Sequence, residues 1–458
     1  MMTSKKLTPT ATHWGTYLVE VEDGKLQAIH PYPEDTTPTD LRHLLLETQD
    51  ERCRIGQPMI REGYLEKGID SDRTGRGKEP FVAVSWDQAL DLTADALARV
   101  KQLYGNEAIY GGSYGWGSVG ALHHPATQLH RFLNALGGHT YSVNSYSYAA
   151  AEVITPHILG CSMADMIIST PSWRDVAANS ELVVLFGGAG LKNTSINVRG
   201  TGPHTSQQDM LAAKEAGVEF INISPIRDDV AHDFGATWIS AVPNTDTAIM
   251  LGLAHTLVVE NLHDATFIET YCVGWERFVP YLLGETDDQP KDAAWAAQIS
   301  GVSASVIQAL AQQMAQQKTT ISVSWSLQRA EHGEQPFWMA VVLAALLGEI
   351  GLPGRGVVFG YNAVYAMGSH GRTPFMWPLI SEGANPVNSF IPVARIADML
   401  LNPRQTFDYD GHTYTYPDIK LVYWAGGNPF HHHQDLNRIL AAWQKPETII
   451  VNEPWWNA

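Results

Sequence analysis

Apolar and polar positions follow two rhythms along this chain, one helical and one strand-like. Trp86, Ala89, Leu90, Ala94, Leu97 and Val100 recur at helical spacing until Gly105, behind an S-x-x-Q capping pattern at Ser85–Gln88. A helix from Trp86 to about Tyr104 is predicted. Ala108–Gly111 then reads as a short buried strand, ending in a glycine-rich loop, Gly111-Gly112-Ser113-Tyr114-Gly115-Trp116-Gly117. The same grammar returns with the apolar strand Leu182–Gly187, the glycine turn Gly187–Gly190, a helix Asp209–Ala216 and a strand Val218–Ile223. Helical periodicity marks Ile249–Glu260 and Val306–Gln316, Thr320–Ser324 is strand-like, and Pro336–Ile350 is an apolar helix that Gly351 ends. A last strand, Lys420–Trp424, opens onto Ala425-Gly426-Gly427-Asn428-Pro429-Phe430.

Strands alternating with helices imply parallel sheets with helices on both faces, which hold ligands at the carboxyl ends of their strands. Three strand-then-glycine loops without a G-x-x-x-x-G-K-[ST] motif suggest nucleotide-like ligands bound without a P-loop. Residues Met1 to about Lys78 are mixed and turn-rich, with a strand-like piece at Thr16–Val21 and a charged connection at Asp72–Glu79. They read as an entry domain plus linker.

Composition narrows the class. A chain of 458 residues is long enough for about three domains. Apolar residues are 45% and charged residues 17%, and 14 Trp, 17 Tyr and 13 Phe exclude a disordered chain. A net charge of −18 provides no field for a phosphate backbone, so nucleic acid is not an expected partner. Cys53, Cys161 and Cys272 stand far apart with no C-x-x-C pair, which excludes an iron–sulfur cluster or zinc knuckle built from local ligands. Three thiols argue against a disulfide framework and leave the redox compartment open. The first residues hold neither an apolar signal core nor a twin arginine, and no apolar stretch reaches about 20 residues. A soluble, cytoplasmic protein is expected, or a periplasmic one had a signal been removed.

The loops also carry a resemblance. YGGSYGW at Tyr110–Trp116, SWSLQR at Ser324–Arg329, HGEQPFWM at His332–Met339 and YWAGGNPFHHHQDLNR at Tyr423–Arg438 resemble the dimethyl sulfoxide reductase family. The likeness runs from Thr12 onward and includes RDDVAHDFGA, PNTDTAIMLGLAHTL and IPVARIADMLLNP. It is nearest the branch of dimethyl sulfoxide, trimethylamine N-oxide and biotin sulfoxide reductases. What it implies is an α/β, multi-domain molybdopterin oxidoreductase fold, with doubly wound, mostly parallel sheets around a bis-dinucleotide cofactor. The implied cofactor is molybdenum held by two molybdopterin guanine dinucleotides, with no iron–sulfur cluster. The implied reaction is oxygen-atom transfer from an S-oxide or N-oxide, of the dimethyl sulfoxide, trimethylamine N-oxide, biotin sulfoxide or methionine sulfoxide type. Electrons would come from an external donor, a cytochrome or a reductase.

The same resemblance implies site residues. Ser147, in Ser145-Tyr146-Ser147-Tyr148-Ala149-Ala150-Ala151, matches the serine that ligates molybdenum, and a hard alkoxide suits a high-valent metal. Where the family has an aspartate and a threonine, this chain has Ser145 and Tyr148, which alters the surroundings of the ligand. Tyr114 and Trp116 match an aromatic pair whose O–H and N–H donate to oxygen. Ser113, Gly115 and Trp116 match cofactor contacts on that loop. Further matches are Lys192, Asn193 and Thr194, in a different order from the family's K-T-N, then Ile223, Ser224, Pro225 and Arg227, and Asn244, Thr245 and Asp246. Trp325, Ser326, Gln328 and Arg329 follow, then Gly426, Gly427, Asn428, His432 and Gln434, and Glu453 as a second acid for guanine. A carboxylate such as Asp246 accepts from guanine N1–H and the exocyclic amine together.

Plainer readings stand beside these. Ser most often caps or turns backbone, an aromatic among glycines packs under its own loop, and three adjacent histidines, His431–His433, cannot all face one ion from regular structure. Glu334 complements a helix dipole, and Trp338, Val341 and Leu346 read as core. The expected division is residues 1–78, a first α/β domain from 79–165 with 380–458, and a second from 166–379. The loop Tyr361–Pro378 is a candidate substrate funnel. The family's further C-terminal barrel domain would follow Trp455-Trp456-Asn457-Ala458, an apolar ending that reads as an unfinished interface. Missing sequence, a second polypeptide and a reduced descendant all fit it. The alternative to a reductase is a non-catalytic or split-subunit molybdopterin-binding protein, and another molybdenum reaction on the same fold is a third reading.

Overall fold

The computed structural model describes residues 7–118, 122–198, 200–369 and 379–456. Its largest sheet has five parallel strands in the order Thr237–Ile239, Glu219–Ile223, Leu182–Phe186, Thr319–Val323, Gly356–Val358. Leu182–Phe186 lies at the centre and every residue of it is buried, as a strand covered on both faces must be. Helices Ser206–Glu215, Asp246–Val259, Ala304–Gln316 and Gln335–Leu346 supply the crossovers. Asp246–Val259 and Gln335–Leu346 are apolar on nearly all sides because they are buried on nearly all sides. No single helix among the described residues is long and apolar enough to cross a membrane.

A second parallel sheet has the order Thr448–Asn452, Leu421–Ala425, Ile109–Gly112. Leu97 and Val100 from helix Trp86–Tyr104 and Leu129 and Leu133 from helix Pro125–Leu136 pack with strand residue Leu421 on one face. Tyr110, Val422, Trp424, Met399 and Ile439 fill the other. Both sheets are therefore doubly covered, the α/β architecture the sequence implies. A three-stranded antiparallel sheet, Leu7–Thr12, Gly15–Glu22 and Lys25–Pro31, precedes them. It is tied to the five-stranded unit through Asp35 and His204, both buried.

Several sequence expectations shift by a residue or a turn. The helix expected at Asp209–Ala216 runs from Ser206 to Glu215, and that expected at Ile249–Glu260 from Asp246 to Val259. The apolar helix ends at Leu346 rather than Ile350, because Gly348 takes a left-handed φ of 68°. At Ser85 the hydroxyl accepts from the Gln88 N–H at 3.2 Å, whereas both halves of a capping box form at Ser162 with Asp165 and at Ser172 with Asp175. The charged Asp72–Glu79 connection is no free linker. Arg76 donates to the carbonyls of Trp443, Pro446 and Glu447 at 2.7, 2.9 and 3.1 Å, and Arg73 to Lys445 O at 2.6 Å.

The Trp455–Trp456 pair also packs back on the chain. Trp456 N–H donates to Cys53 O at 2.7 Å, and its ring, 42% exposed, meets Phe81 at 5.4 Å. Asn457 and Ala458 lie outside the described residues, as do residues 370–378 of the expected funnel loop. The described part of that loop is not open: Tyr361 is buried and stacks on Trp173 at 4.1 Å.

Candidate functional site

Two glycine loops leave the carboxyl ends of neighbouring strands, Ile109–Gly112 and Leu421–Ala425, and touch. Tyr114 N–H donates to Gly426 O at 2.9 Å. A Cβ on Gly426 would lie 3.0 Å from Gly115 Cα, and one on Gly427 would lie 2.7 Å from Tyr114 Cβ. Both glycines have left-handed φ, 76° and 75°, so this contact needs glycine for conformation and for space. Ser113 spends its hydroxyl on Ala425 O and on the Gly115 N–H, closing the loop rather than facing outward.

The contact sets Tyr114. Its ring meets Trp424, His432 and Tyr146 edge-on, at 4.8, 4.7 and 5.9 Å between centroids. Its hydroxyl is buried without a hydrogen-bond partner among the described residues. Burial, followed by the neighbouring phenols of Tyr110 and Tyr146, pushes its pKa well above the usual phenol value. It is therefore a neutral O–H at any ordinary pH. Trp116 stands beside it at 42% exposure, with its backbone N–H on Tyr114 O at 3.0 Å.

Ser147 lies on the turn ahead of the helix Ala149–Leu159, where Asn144 takes φ 67° and Ser145 Oγ accepts from the Ser147 N–H at 3.1 Å. Ser147 Oγ has no protein partner among the described hydrogen bonds. The residue that joins this turn to the glycine loops is Tyr146, which the motifs did not single out. Its hydroxyl donates to Val393 O at 2.9 Å and meets His433 Nδ1 at 3.1 Å and Gln434 Oε1 at 3.4 Å. Its ring stacks on His432 at 6.4 Å and 16°. Tyr114, Ser147, His432 and Gln434 are thus gathered around one ring.

The three histidines diverge. His431 is exposed, His432 lies between two tyrosine rings, and His433 is buried with Nε2 unpartnered and its pKa pushed down to about 4 by burial and by His432. Among the described residues no three His, Cys, Asp or Glu side chains are grouped to hold a metal ion.

A second cradle forms at the carboxyl ends of the five-stranded sheet. Lys192 and Asn193 project from the turn Leu191–Ser195 and are exposed, while Thr194 is buried with its hydroxyl on Leu191 O at 2.8 Å. Ile223 is core and its carbonyl accepts from Gly187 N–H at 2.9 Å, so its place in a binding site is that of scaffold. Ser224 donates to Asp229 Oδ2 at 2.5 Å and its carbonyl accepts from the Trp238 indole at 2.9 Å, whereas Pro225 and Arg227 are exposed, with Ile226 and Asp228 between and beside them.

Asn244 is exposed with φ 66°, Thr245 donates to Val242 O at 2.6 Å, and Asp246 opens the next helix. Asp246 has no ion-pair partner among the described residues, and burial pushes its pKa up to about 6. Trp325 turns inward, its indole on Phe359 O at 2.7 Å, while Ser326 and Arg329 are exposed. Gln328 also turns inward, onto the Ser147 turn. Asn428 accepts from Phe430 N–H at 2.9 Å, and Glu453, half-buried with its pKa raised by burial, follows the strand Thr448–Asn452. His13, at the hairpin of the first sheet, reaches the loop from outside: a Cβ on Gly117 would lie 3.0 Å from its ring.

Two family models match the chain. One describes molybdopterin oxidoreductases and matches residues 54–458, and the other describes the N-terminal domain of molybdopterin oxidoreductases and matches residues 10–48. A biotin sulfoxide reductase of Cereibacter sphaeroides is 46% identical over 433 residues, covering 94% of this chain and 58% of the relative. A dimethyl sulfoxide/trimethylamine N-oxide reductase of Rhodobacter capsulatus is 42% identical over 458 residues, covering 98% and 55%. A trimethylamine-N-oxide reductase of Haemophilus influenzae is 41% identical, covering 98% and 56%. The chain thus spans a little over half the length of the curated relatives it matches. The structure of the acetylene hydratase from Pelobacter acetylenicus matches with TM-score 0.61 at 18% identity, over 99% of this chain and 61% of its own, a likeness of fold.

Proposed function

Since the chain belongs to the molybdopterin oxidoreductase family, we propose that it carries the cofactor-holding and substrate-facing residues of an S-oxide or N-oxide reductase. The proposed cofactor is molybdenum with two molybdopterin guanine dinucleotides. The residues present fit it: among the described residues Ser147 offers an oxygen without a protein hydrogen bond, Asp246 a half-buried carboxyl without an ion-pair partner, and Tyr114 a buried O–H beside the Tyr146 phenol. Lys192, Asn193, Arg227, Asn244, Ser326 and Arg329 are among the exposed polar groups of the second cradle, and Glu453 is a second acid at the first. When bound, the cofactor supplies the two-electron redox change that accepts an oxygen atom.

The protein's part is placement and proton-bearing polarity. Tyr114 is held neutral by burial and fixed by three rings, so it presents its O–H without reorganisation. An S-oxide or N-oxide oxygen gains negative charge as its bond to sulfur or nitrogen breaks, and a preset donor stabilises that charge. Trp116 adds an indole N–H from the open side of the same loop. The observation that carries the proposal is the buried Tyr114 hydroxyl, which meets the geometry of no hydrogen bond among the described residues and whose ring packs on Tyr146 next to the Ser147 turn. Two electrons per turnover come from an external donor.

Metal and guanine analysis of the purified protein, followed by oxidation of reduced viologen with dimethyl sulfoxide, trimethylamine N-oxide and biotin sulfoxide, tests the reading. Two guanines for each molybdenum and turnover with at least one oxide are expected. Protein without molybdenum sinks the proposal, and metal without turnover leaves a cofactor-binding role. Ser147→Ala is expected to abolish turnover and change the visible bands while the fold persists. Wild-type bands would discard Ser147 as the ligand.

A further inference from the structure

The Tyr146–Ala150 turn has little local support. Tyr148, at the cap position of the Ala149–Leu159 helix, gives the first turn no side-chain hydrogen bond. Ala149 N–H returns to Ser145 O at 3.0 Å, but the Ala150 N–H is met from 178 residues away by Gln328 Oε1 at 2.7 Å. The other end of the same carboxamide, Nε2, donates to Tyr146 O at 2.9 Å, and Arg329 Nε joins it at 3.2 Å. One side chain therefore holds the carbonyl just before Ser147 and the N–H three residues after it.

Gln328 is itself fixed. It is 9% exposed and ends the turn Trp325–Gln328 that follows the Thr319–Val323 strand. Trp325 anchors that turn through its indole on Phe359 O, and Gly333 packs so close to Gln328 O that any Cβ there would overlap it. Tyr148 meets Trp325 edge-on at 4.8 Å, so the turns also touch through rings. The position calls for a donor and an acceptor on one rigid amide. Glutamate keeps only the acceptor, and methionine has the length but neither.

We propose that Gln328 is the positioning residue of Ser147: its carboxamide, delivered from the five-stranded sheet, braces the turn on both sides and fixes where the Ser147 hydroxyl sits. This rests on Ser147 being the protein ligand of molybdenum. Partners that orient a metal ligand typically matter by about 10–100-fold when removed.

The molybdenum-loaded full chain carrying Gln328→Glu, Gln328→Met or Ser147→Ala is compared with the wild type. The readouts are hydrogen exchange over residues 145–155, visible absorption bands, molybdenum content and oxide-dependent viologen oxidation. Both Gln328 variants should exchange faster over 145–155, shift the bands and turn over about 10–100-fold more slowly, with molybdenum content retained within about twofold. Glutamate, keeping the acceptor for Ala150, should show the smaller change in exchange. Unchanged exchange in Gln328→Met overturns the brace. Unshifted bands in Gln328→Met, where Ser147→Ala does shift them, overturn the positioning role and leave Ser147 as ligand. Unshifted bands in Ser147→Ala overturn the ligand reading instead, and exchange then decides whether Gln328 holds the turn.

Discussion

The Asp35 carboxylate accepts both the backbone N–H and the ring Nδ1 of His204, at 3.1 and 2.7 Å, with both residues buried. Their sequence separation of 169 makes the pair a tether between the first antiparallel sheet and the five-stranded unit. Asp35→Ala leaves two buried donors unmatched, an expected loss of about 3 kcal/mol. Limited proteolysis between residues 31 and 59 should then run faster while the five-stranded core stays protected. An unchanged cleavage half-life would show that the sheet is held by other contacts.

Trp116→Phe removes an exposed indole N–H that makes no hydrogen bond described within the protein, so stability should hardly change. Turnover should fall by about 10–100-fold, equivalent to a donor contributing about 1–3 kcal/mol against developing charge. Molybdenum loss in proportion to activity loss would make the indole structural.

Asp246 predicts a pH dependence. Burial raises its folded-state pKa to about 6, above an unfolded value of about 3.9, so between those values the folded state binds more protons than the unfolded. Stability of the cofactor-free protein should therefore fall as pH rises from about 4 through 6. Asp246→Asn removes this cost: the apo variant should be more stable than wild type at pH 7, by roughly 3 kcal/mol at most, and no different near pH 4. It should also bind guanine nucleotide less tightly. Parallel melting curves across pH 4–8 decide it, and identical curves would show that the carboxyl finds a partner in solution.

Gly427→Ala separates conformation from crowding. Gly427 and Gly24 both have φ 75°, yet a Cβ on Gly427 would meet Tyr114 at 2.7 Å and one on Gly24 would meet nothing within 4 Å. Gly24→Ala should cost about 1–2 kcal/mol from backbone strain alone. Gly427→Ala should cost roughly 1–3 kcal/mol more and should disturb the near-ultraviolet signal of Tyr114 and its neighbours. Equal losses would mean that the two glycine loops separate without difficulty.

The sequence was most legible where its signals are local. Leu182–Phe186 and Trp86–Tyr104 declare themselves through a continuous apolar run and a helical stripe. Strand Thr448–Asn452 was within reach, since Thr448-Ile449-Ile450-Val451 is β-branched and follows Pro446. Helix Pro125–Leu136 opens on His124, an uncommon cap that accepts from Thr127 N–H at 3.2 Å, and so hid behind its own first turn. In the site, motif matches drew attention to Ser113, Ser224 and Gln328, yet their polar groups are spent on backbone or on neighbouring side chains within the protein. Tyr146 was not legible at all. Its partners Val393 and His433 lie 247 and 287 residues on, and no local pattern encodes such a meeting.

The second parallel sheet also sets a clock. Ile109–Gly112 pairs with Leu421–Ala425, so during synthesis the first strand leaves the ribosome roughly 300 residues before its neighbour exists. At about 5–20 residues per second that is a wait of roughly 15–60 s with an unpaired edge exposed. Until then the loop bearing Tyr114 has no Gly426 to close against, and a nascent chain has no finished floor on which to seat a cofactor. Seating of that cofactor therefore waits until Leu421–Ala425 and the glycines behind it have been made.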